Sequence, residues 1–146
     1  FFMGVFAGLL IMIGIVDERT FEIPFRYNLA IGSLGAVHLI LNLSNWKEYV
    51  IGMCAVSGFL LLLYYVTKGK GIGGGDVKLM GACGFVLGVW PGLIQTVLSL
   101  SLAVLAGLVE CCLQKRPLSM VRLPLAPFFC FGGVSAYWLT AFALQI

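Results

Sequence analysis

The chain alternates between apolar runs and short polar breaks, and this pattern restricts its possible folds more than any motif does. Six apolar runs stand at roughly 1–16, 27–43, 49–66, 77–90, 93–112 and 124–146. In a bilayer every backbone N–H and C=O must be bonded inside the crossing segment, so runs of this kind become helices. About 20 residues span the hydrocarbon core, which the third, fifth and sixth runs satisfy best. The fourth, about 14 residues, amounts to about 21 Å of helix at 1.5 Å per residue. Charged residues make up 10% of the chain, against about 25% in a soluble domain, too few to coat a water-facing surface. The expected fold is all-α, a polytopic membrane bundle of about six transmembrane helices forming a single domain over residues 1–146.

The breaks carry the orientation. The first, third and fifth (17–26, 67–78 and 113–123) hold Arg19, Arg26, Lys68, Lys70, Lys78, Lys115, Arg116 and Arg122, whereas the second and fourth hold only Lys47. Short cationic connections stay on the cytoplasmic side, so a multi-pass protein of the cell membrane is expected, with these breaks inside and both termini outside. A net charge of +3 without a basic run argues against a nucleic-acid partner; the lipid bilayer is the expected surroundings. Run 1–16 has no basic segment before it and no small-residue cleavage site after it, so it reads as a membrane helix, not a signal peptide. Five cysteines without paired spacing and a single histidine, His38, give no ligand set for a metal, and no cofactor is expected. The cysteines and His38 read as packing residues. Gly4 and Gly8, then Gly84, Gly88 and Gly92, then Ala103 and Gly107 are spaced to let helices approach closely in lipid. The glycine row should put the fourth helix in the middle of the bundle, closed by the "WPG" at 90–92.

The chain contains two aspartates, Asp17 and Asp76, each at the cytoplasmic edge of an apolar run. Two carboxylates at common depth cannot easily both ionise, so one can serve as acid while the other serves as base. The plain alternative is that both cap helix ends. Asp76 closes the stretch "KGKGIGGGD". Gly69, Gly71 and Gly74 formally match a dinucleotide-binding fingerprint, but that needs a preceding strand, and an apolar helix precedes them here. A flexible hinge is one remaining reading of Gly73, Gly74 and Gly75. The other is a bare backbone that lets an extended chain reach Asp76. Lys78 either favours ionised Asp76 or reaches for headgroups. Glu18 adjoins Asp17 and can modulate it, and Glu22 lies on the same break. Glu110 is expected to pair with Lys115 or Arg116. Pro24, Pro124 and Pro127 read at least as helix-end punctuation.

Three of these stretches together resemble the type IV prepilin peptidases, a family of membrane aspartic proteases. "GGGDVKLM" resembles its GxGD motif, with Gly73, Gly75 and Asp76 at the G, G and D positions and Lys78 at the basic position that follows. "DERTFEIP" is similar to its first aspartate segment, with Asp17, Ile23 and Pro24 in the matching places. "LPLAPFF" looks like its Pro-x-x-Pro-Phe entry to the last helix, through Pro124 and Pro127. The resemblance covers essentially the whole chain. It implies a six-helix endopeptidase in which Asp17 and Asp76 are the catalytic pair and a prepilin-like protein is the substrate, its basic leader cut off just before an apolar helix. Phe25 stands where that family commonly has Asn or Asp. The larger bacterial members carry an amino-terminal cysteine-bearing domain associated with methylation. Nothing like it occurs here, so a short form without methyltransferase activity, of the kind found with Flp or tight-adherence pili, is the expectation. Glu18 and Glu22 would attract the basic leader.

Three other readings compete. An intramembrane GxGD protease would need a deeper dyad. A proton-coupled transporter normally places an ionisable group at mid-membrane. A non-catalytic subunit of a secretion machine would tolerate replacement of both aspartates.

Overall fold

The computed structural model describes residues 2–21, 23–115 and 123–143. Among these, six α-helices follow one another: α1 (Phe2–Thr20), α2 (Phe25–Leu41), α3 (Trp46–Val66), α4 (Gly74–Leu87), α5 (Val89–Gln114) and α6 (Ala126–Ala143), with a short 3-10 turn, Leu43–Asn45, before α3. The protein is an all-α bundle. The stretches Leu43–Val66 and Val89–Gln114, with mean hydropathies of 2.0 and 2.1, are long and apolar enough to cross a membrane. Both turn much of their apolar surface outward, with Leu62, Tyr65, Val66, Val104, Leu105 and Val109 all more than half exposed. Water does not favour an apolar exterior of that extent, and lipid does.

α4 is the central element. It packs against α2, α3, α5 and α6, and eight of its fourteen residues are buried, Leu79, Met80 and Cys83 completely. Glycine makes the α3–α4 crossing possible. A Cβ on Gly84 would stand 2.6 Å from the Gly52 carbonyl oxygen, and one on Gly52 would stand 2.7 Å from that of Gly84. Gly4 and Gly8 do no such work, since a Cβ on either would meet nothing within 4 Å. The expected end of α4 is also corrected. The helix stops at Leu87, and Gly88, with φ 85°, turns the chain directly into α5. Trp90, Pro91 and Gly92 therefore open α5. A proline suits a first turn because its missing N–H has no intrahelical partner there.

α6 is tied to α5 through buried polar groups. Gln95, Thr96 and Ser99 are at most 1% exposed, and Gln95 Nε2 donates to the Phe129 carbonyl at 2.9 Å. Gly132 and Gly133 leave room for Ser99 and Gln95. His38 is a packing residue, its ring 5.5 Å from Phe2 and 5.0 Å from Tyr49. The Glu110 carboxylate accepts from Gln114 Nε2 at 2.7 Å, one turn along the same helix, and no ion pair to Lys115 is seen among the described residues. Arg116, Arg122 and Glu22 lie outside the described residues.

Candidate active site

The inward stripe of α1 is Phe6, Leu10, Ile13, Gly14 and Asp17, a spacing of three and four residues that keeps one face toward the bundle. Asp17 is therefore buried because it continues a core stripe, and it is 5% exposed. Its Oδ2 accepts the backbone N–H of Ala126 at 3.0 Å, across 109 residues of sequence. Ala126 is the first residue of α6, whose opening N–H groups lack intrahelical partners and form the positive end of the helix dipole. Pro127 follows in a first turn that needs no N–H from it, and a Cβ on Gly14 would sit 3.5 Å from the Pro127 Cα. Pro127 thus helps place the start of α6 against the end of α1.

Asp76 is held in a related way. It is the third residue of α4, and its Oδ2 accepts the N–H of Gly73, the residue capping that helix, at 3.0 Å. Gly73 returns its carbonyl to the Asp76 N–H at 3.1 Å. Asp76 is 9% exposed. Burial pushes its carboxyl up from 3.8 to about 6; the Gly73 N–H acts against this, and the neighbouring Asp17 charge adds to it.

The glycine run divides into two tasks. Gly69, with φ 70°, ends α3 with its N–H on the Tyr64 carbonyl, a left-handed position that favours glycine. Gly73, Gly74 and Gly75 have no positive φ, so space explains them better than conformation. A Cβ on Gly73 would press within 3.2 Å of Asp76 Oδ2, one on Gly75 would meet Ile23 at 3.6 Å, and one on Gly74 would stand in the open. These three glycines and Asp76 form one wall of a cleft of about 330 Å³. Asp17, Phe21 and Ile23 form the other. The connection wraps the cleft because α1 ends abruptly: Phe21 takes φ 51° with its N–H on the Asp17 carbonyl at 2.8 Å. Pro24, in extended backbone, then starts α2.

The structure thus brings Asp17, Asp76 and the three glycines together, with Pro127 packed against Gly14 of α1 and Pro124 two residues ahead of α6. Two other expected site residues lie elsewhere. Lys78 does not pair with Asp76; two residues apart on a helix, they face different sides, and Lys78 lines a groove between α2, α3 and α4. Glu18, one residue round from Asp17, is exposed and borders an apolar groove between α1 and α6. Two participants had no sequence signal. The Ala126 N–H is fixed by a contact between distant segments, and Phe21 acquires its place through backbone geometry.

Two buried carboxyls on one cleft, one of them raised to about 6, can activate water by shared acid and base action. The surrounding sequence is similar to that of known proteins. A prepilin leader peptidase/N-methyltransferase of Bacillus subtilis (strain 168) is 34% identical over 134 residues, which is 91% of this chain and 53% of that protein. A protein of the same name from Burkholderia pseudomallei (strain 1026b) is 34% identical over 139 residues, covering 90% of this chain and 44% of its own. Another, from Pectobacterium carotovorum subsp. carotovorum, is 29% identical over 151 residues, covering 96% and 52%. The chain spans about half the length of these curated relatives. No solved structure matches it. Residues 4–109, which carry both aspartates and the glycine wall between them, match the model of the type IV leader peptidase family, and the chain belongs to that family.

Proposed function

We propose that this chain is an aspartic endopeptidase that removes the basic leader of type IV prepilin-like precursors, with Asp17 and Asp76 as its catalytic pair. One observation carries the reading: both aspartates, distant in sequence and buried, line a single cleft with a glycine wall. Asp76, protonated, donates to the scissile carbonyl oxygen. Asp17, held at the start of α6, takes a proton from the attacking water. Asp17 then gives its proton to the leaving amine while Asp76 takes a proton back from the gem-diol hydroxyl, as the C–N bond breaks. The open backbone at Gly74 gives an extended substrate strand access to the reacting groups.

The helices cross the membrane several times, and the cleft opens at the cytoplasmic face. Its walls lie at the end of α1 and the start of α4, beside Arg19, Arg26, Lys68 and Lys70 on and around the connections after α1 and α3, and cationic connections stay inside. Precursors of the Flp or tight-adherence kind are the proposed substrates. Their basic leaders meet Glu18, which is exposed beside the end of α1.

The test is cleavage in liposomes of a peptide with a basic leader, a glycine and an apolar helix. Wild type should cut it, while Asp17→Asn and Asp76→Asn should not. Equal cutting by all three would make the aspartates structural and end this reading.

A further inference from the structure

α5 has a mean hydropathy of 2.1, yet Gln95, Thr96 and Ser99 on it are each at most 1% exposed. A buried polar side chain is costly unless it is bonded. Thr96 bonds back to its own helix, at the Gly92 carbonyl, and Ser99 Oγ has no partner. Gln95 reaches another helix, its Nε2 donating to the Phe129 carbonyl at 2.9 Å. α6 is shaped to receive it. A Cβ on Gly133 would stand 2.9 Å from Gln95 Nε2 and 3.1 Å from Leu10 Cδ1, and one on Gly132 would stand 2.8 Å from the Gln95 carbonyl oxygen. α1, α5 and α6 therefore meet at Gly133, and Leu10 belongs to the same inward stripe of α1 as Asp17. Phe129 lies three residues along α6 from Ala126, about 4.5 Å at 1.5 Å per residue. Ala126 in turn gives its N–H to Asp17.

We infer that Gln95 is a positioning residue for the endopeptidase activity proposed above, on which its kinetic consequence rests. Its amide sets the axial register of α6 and so holds the Ala126 N–H on Asp17. Apolar packing tolerates small sliding of one helix along another, whereas a hydrogen bond weakens steeply as its angle and distance depart from the preferred values. One buried amide thus defines the register more sharply than the methyl contacts around it. Gln95 does not line the cleft, so it acts through Ala126 and touches no reacting atom.

Gln95→Met keeps the length of the side chain and removes the donor. Gly133→Ala leaves Gln95 in place and presses a Cβ onto its Nε2. Ser99→Ala removes an equally buried hydroxyl that has no partner and is the control. Two measurements on the full chain in mild detergent decide the matter. The first, on protein carrying isotope-labelled alanine, is hydrogen exchange of the Ala126 amide, which needs no activity. It should be about tenfold faster in Gln95→Met and Gly133→Ala, as a locally loosened bond allows, and at the wild-type rate in Ser99→Ala. The second is kcat/KM for the leader peptide against pH, per folded protein. In the first two variants it should fall about a hundredfold, the effect of about an ångström of misplacement at a catalytic group. The acidic limb should also move up by about one pH unit, because a carboxylate that loses an N–H donor holds its proton more tightly. Asp76 shares the cleft and keeps its Gly73 donor, so the basic limb should stay in place; Glu18, exposed beside Asp17, is the same in every variant. A Gln95 that only supports the fold would lower the folded fraction and leave the profile unmoved. That outcome, or an Ala126 amide that exchanges at the wild-type rate in both variants, would overturn the inference. Wild type that cuts no leader peptide would sink the endopeptidase reading instead, and the exchange rates would still decide whether Gln95 holds Ala126.

Discussion

Asp76→Asn should abolish cleavage and at the same time make the protein more stable, with a pH dependence set by the carboxyl it replaces. Burial chiefly, with the Asp17 charge, raises that carboxyl from 3.8 to about 6 in the folded chain. A group whose folded value lies above its unfolded value favours the fold while it is protonated in both states, here below about pH 4. That contribution is lost as the pH rises through about 6. At about 1.4 kcal/mol per pH unit, the interval from 3.8 to about 6 corresponds to about 3 kcal/mol that wild type gives up by pH 8. Asparagine is neutral throughout and still offers a carbonyl oxygen to the Gly73 N–H. Wild type and variant should therefore unfold alike at pH 4, and the variant should be more stable by about 3 kcal/mol at pH 8. Denaturant unfolding in detergent at pH 4, 6 and 8, followed by circular dichroism, reads the difference directly. In an Asp17→Asn background the gain should shrink, because part of what raises Asp76 has been removed. A difference that does not vary with pH, or a variant less stable at pH 8, would refute the reasoning.

Other substitutions separate support from chemistry. Asp17→Ala leaves the Ala126 N–H buried and unpaired and should cost about 1–3 kcal/mol; Asp17→Asn, which keeps an acceptor, should lose cleavage with much less loss of stability in the same unfolding assay. Gly74→Leu enters open space, so it should leave the unfolding midpoint within about 0.5 kcal/mol while raising KM for the leader peptide at least tenfold. Gly84→Leu drives a side chain into the Gly52 backbone and should destabilise by about 3 kcal/mol or more, whereas Gly4→Leu should change stability by less than about 0.5 kcal/mol. Gly88→Ala places a Cβ at a left-handed φ and 3.3 Å from the Glu48 side chain, and should cost about 1–2 kcal/mol, measured by thermal unfolding.

Hydropathy located all six helices, because each is an apolar run set off by polar breaks. It could not say which face of α1 turns inward. Phe6, Leu10 and Ile13 are buried while Ile11, Met12 and Ile15 are about half exposed, yet both sets are equally apolar, and in lipid the periodic contrast that betrays a core face vanishes. Asp17 continues the buried stripe of α1, and only the packing of α6 shows which group partners it there. The end of α4 was misread for a different reason. "WPG" carries strong turn chemistry, but a proline opening one helix looks, in sequence, like a proline closing another. The side on which Lys78 lies was available from spacing alone, since residues two apart on a helix do not share a face.

The two aspartates share a solution to the same difficulty. A carboxylate buried at the rim of an apolar bundle needs donors, and polar side chains are costly to keep in lipid. Here the donors are backbone N–H groups at helix starts: Gly73 before α4 for Asp76, and Ala126 at the head of α6 for Asp17. Each carboxylate is oriented without a further polar side chain, by groups that the helices leave unpaired in any case. The price is that the geometry of the pair depends on helix placement. α1 carries Asp17 and α4 carries Asp76, and α2 and α6 pack against both. A change that shifts α6, such as loss of the Gln95 donor to Phe129, should therefore disturb the cleft from a distance, through the Ala126 N–H and not through any residue that touches substrate.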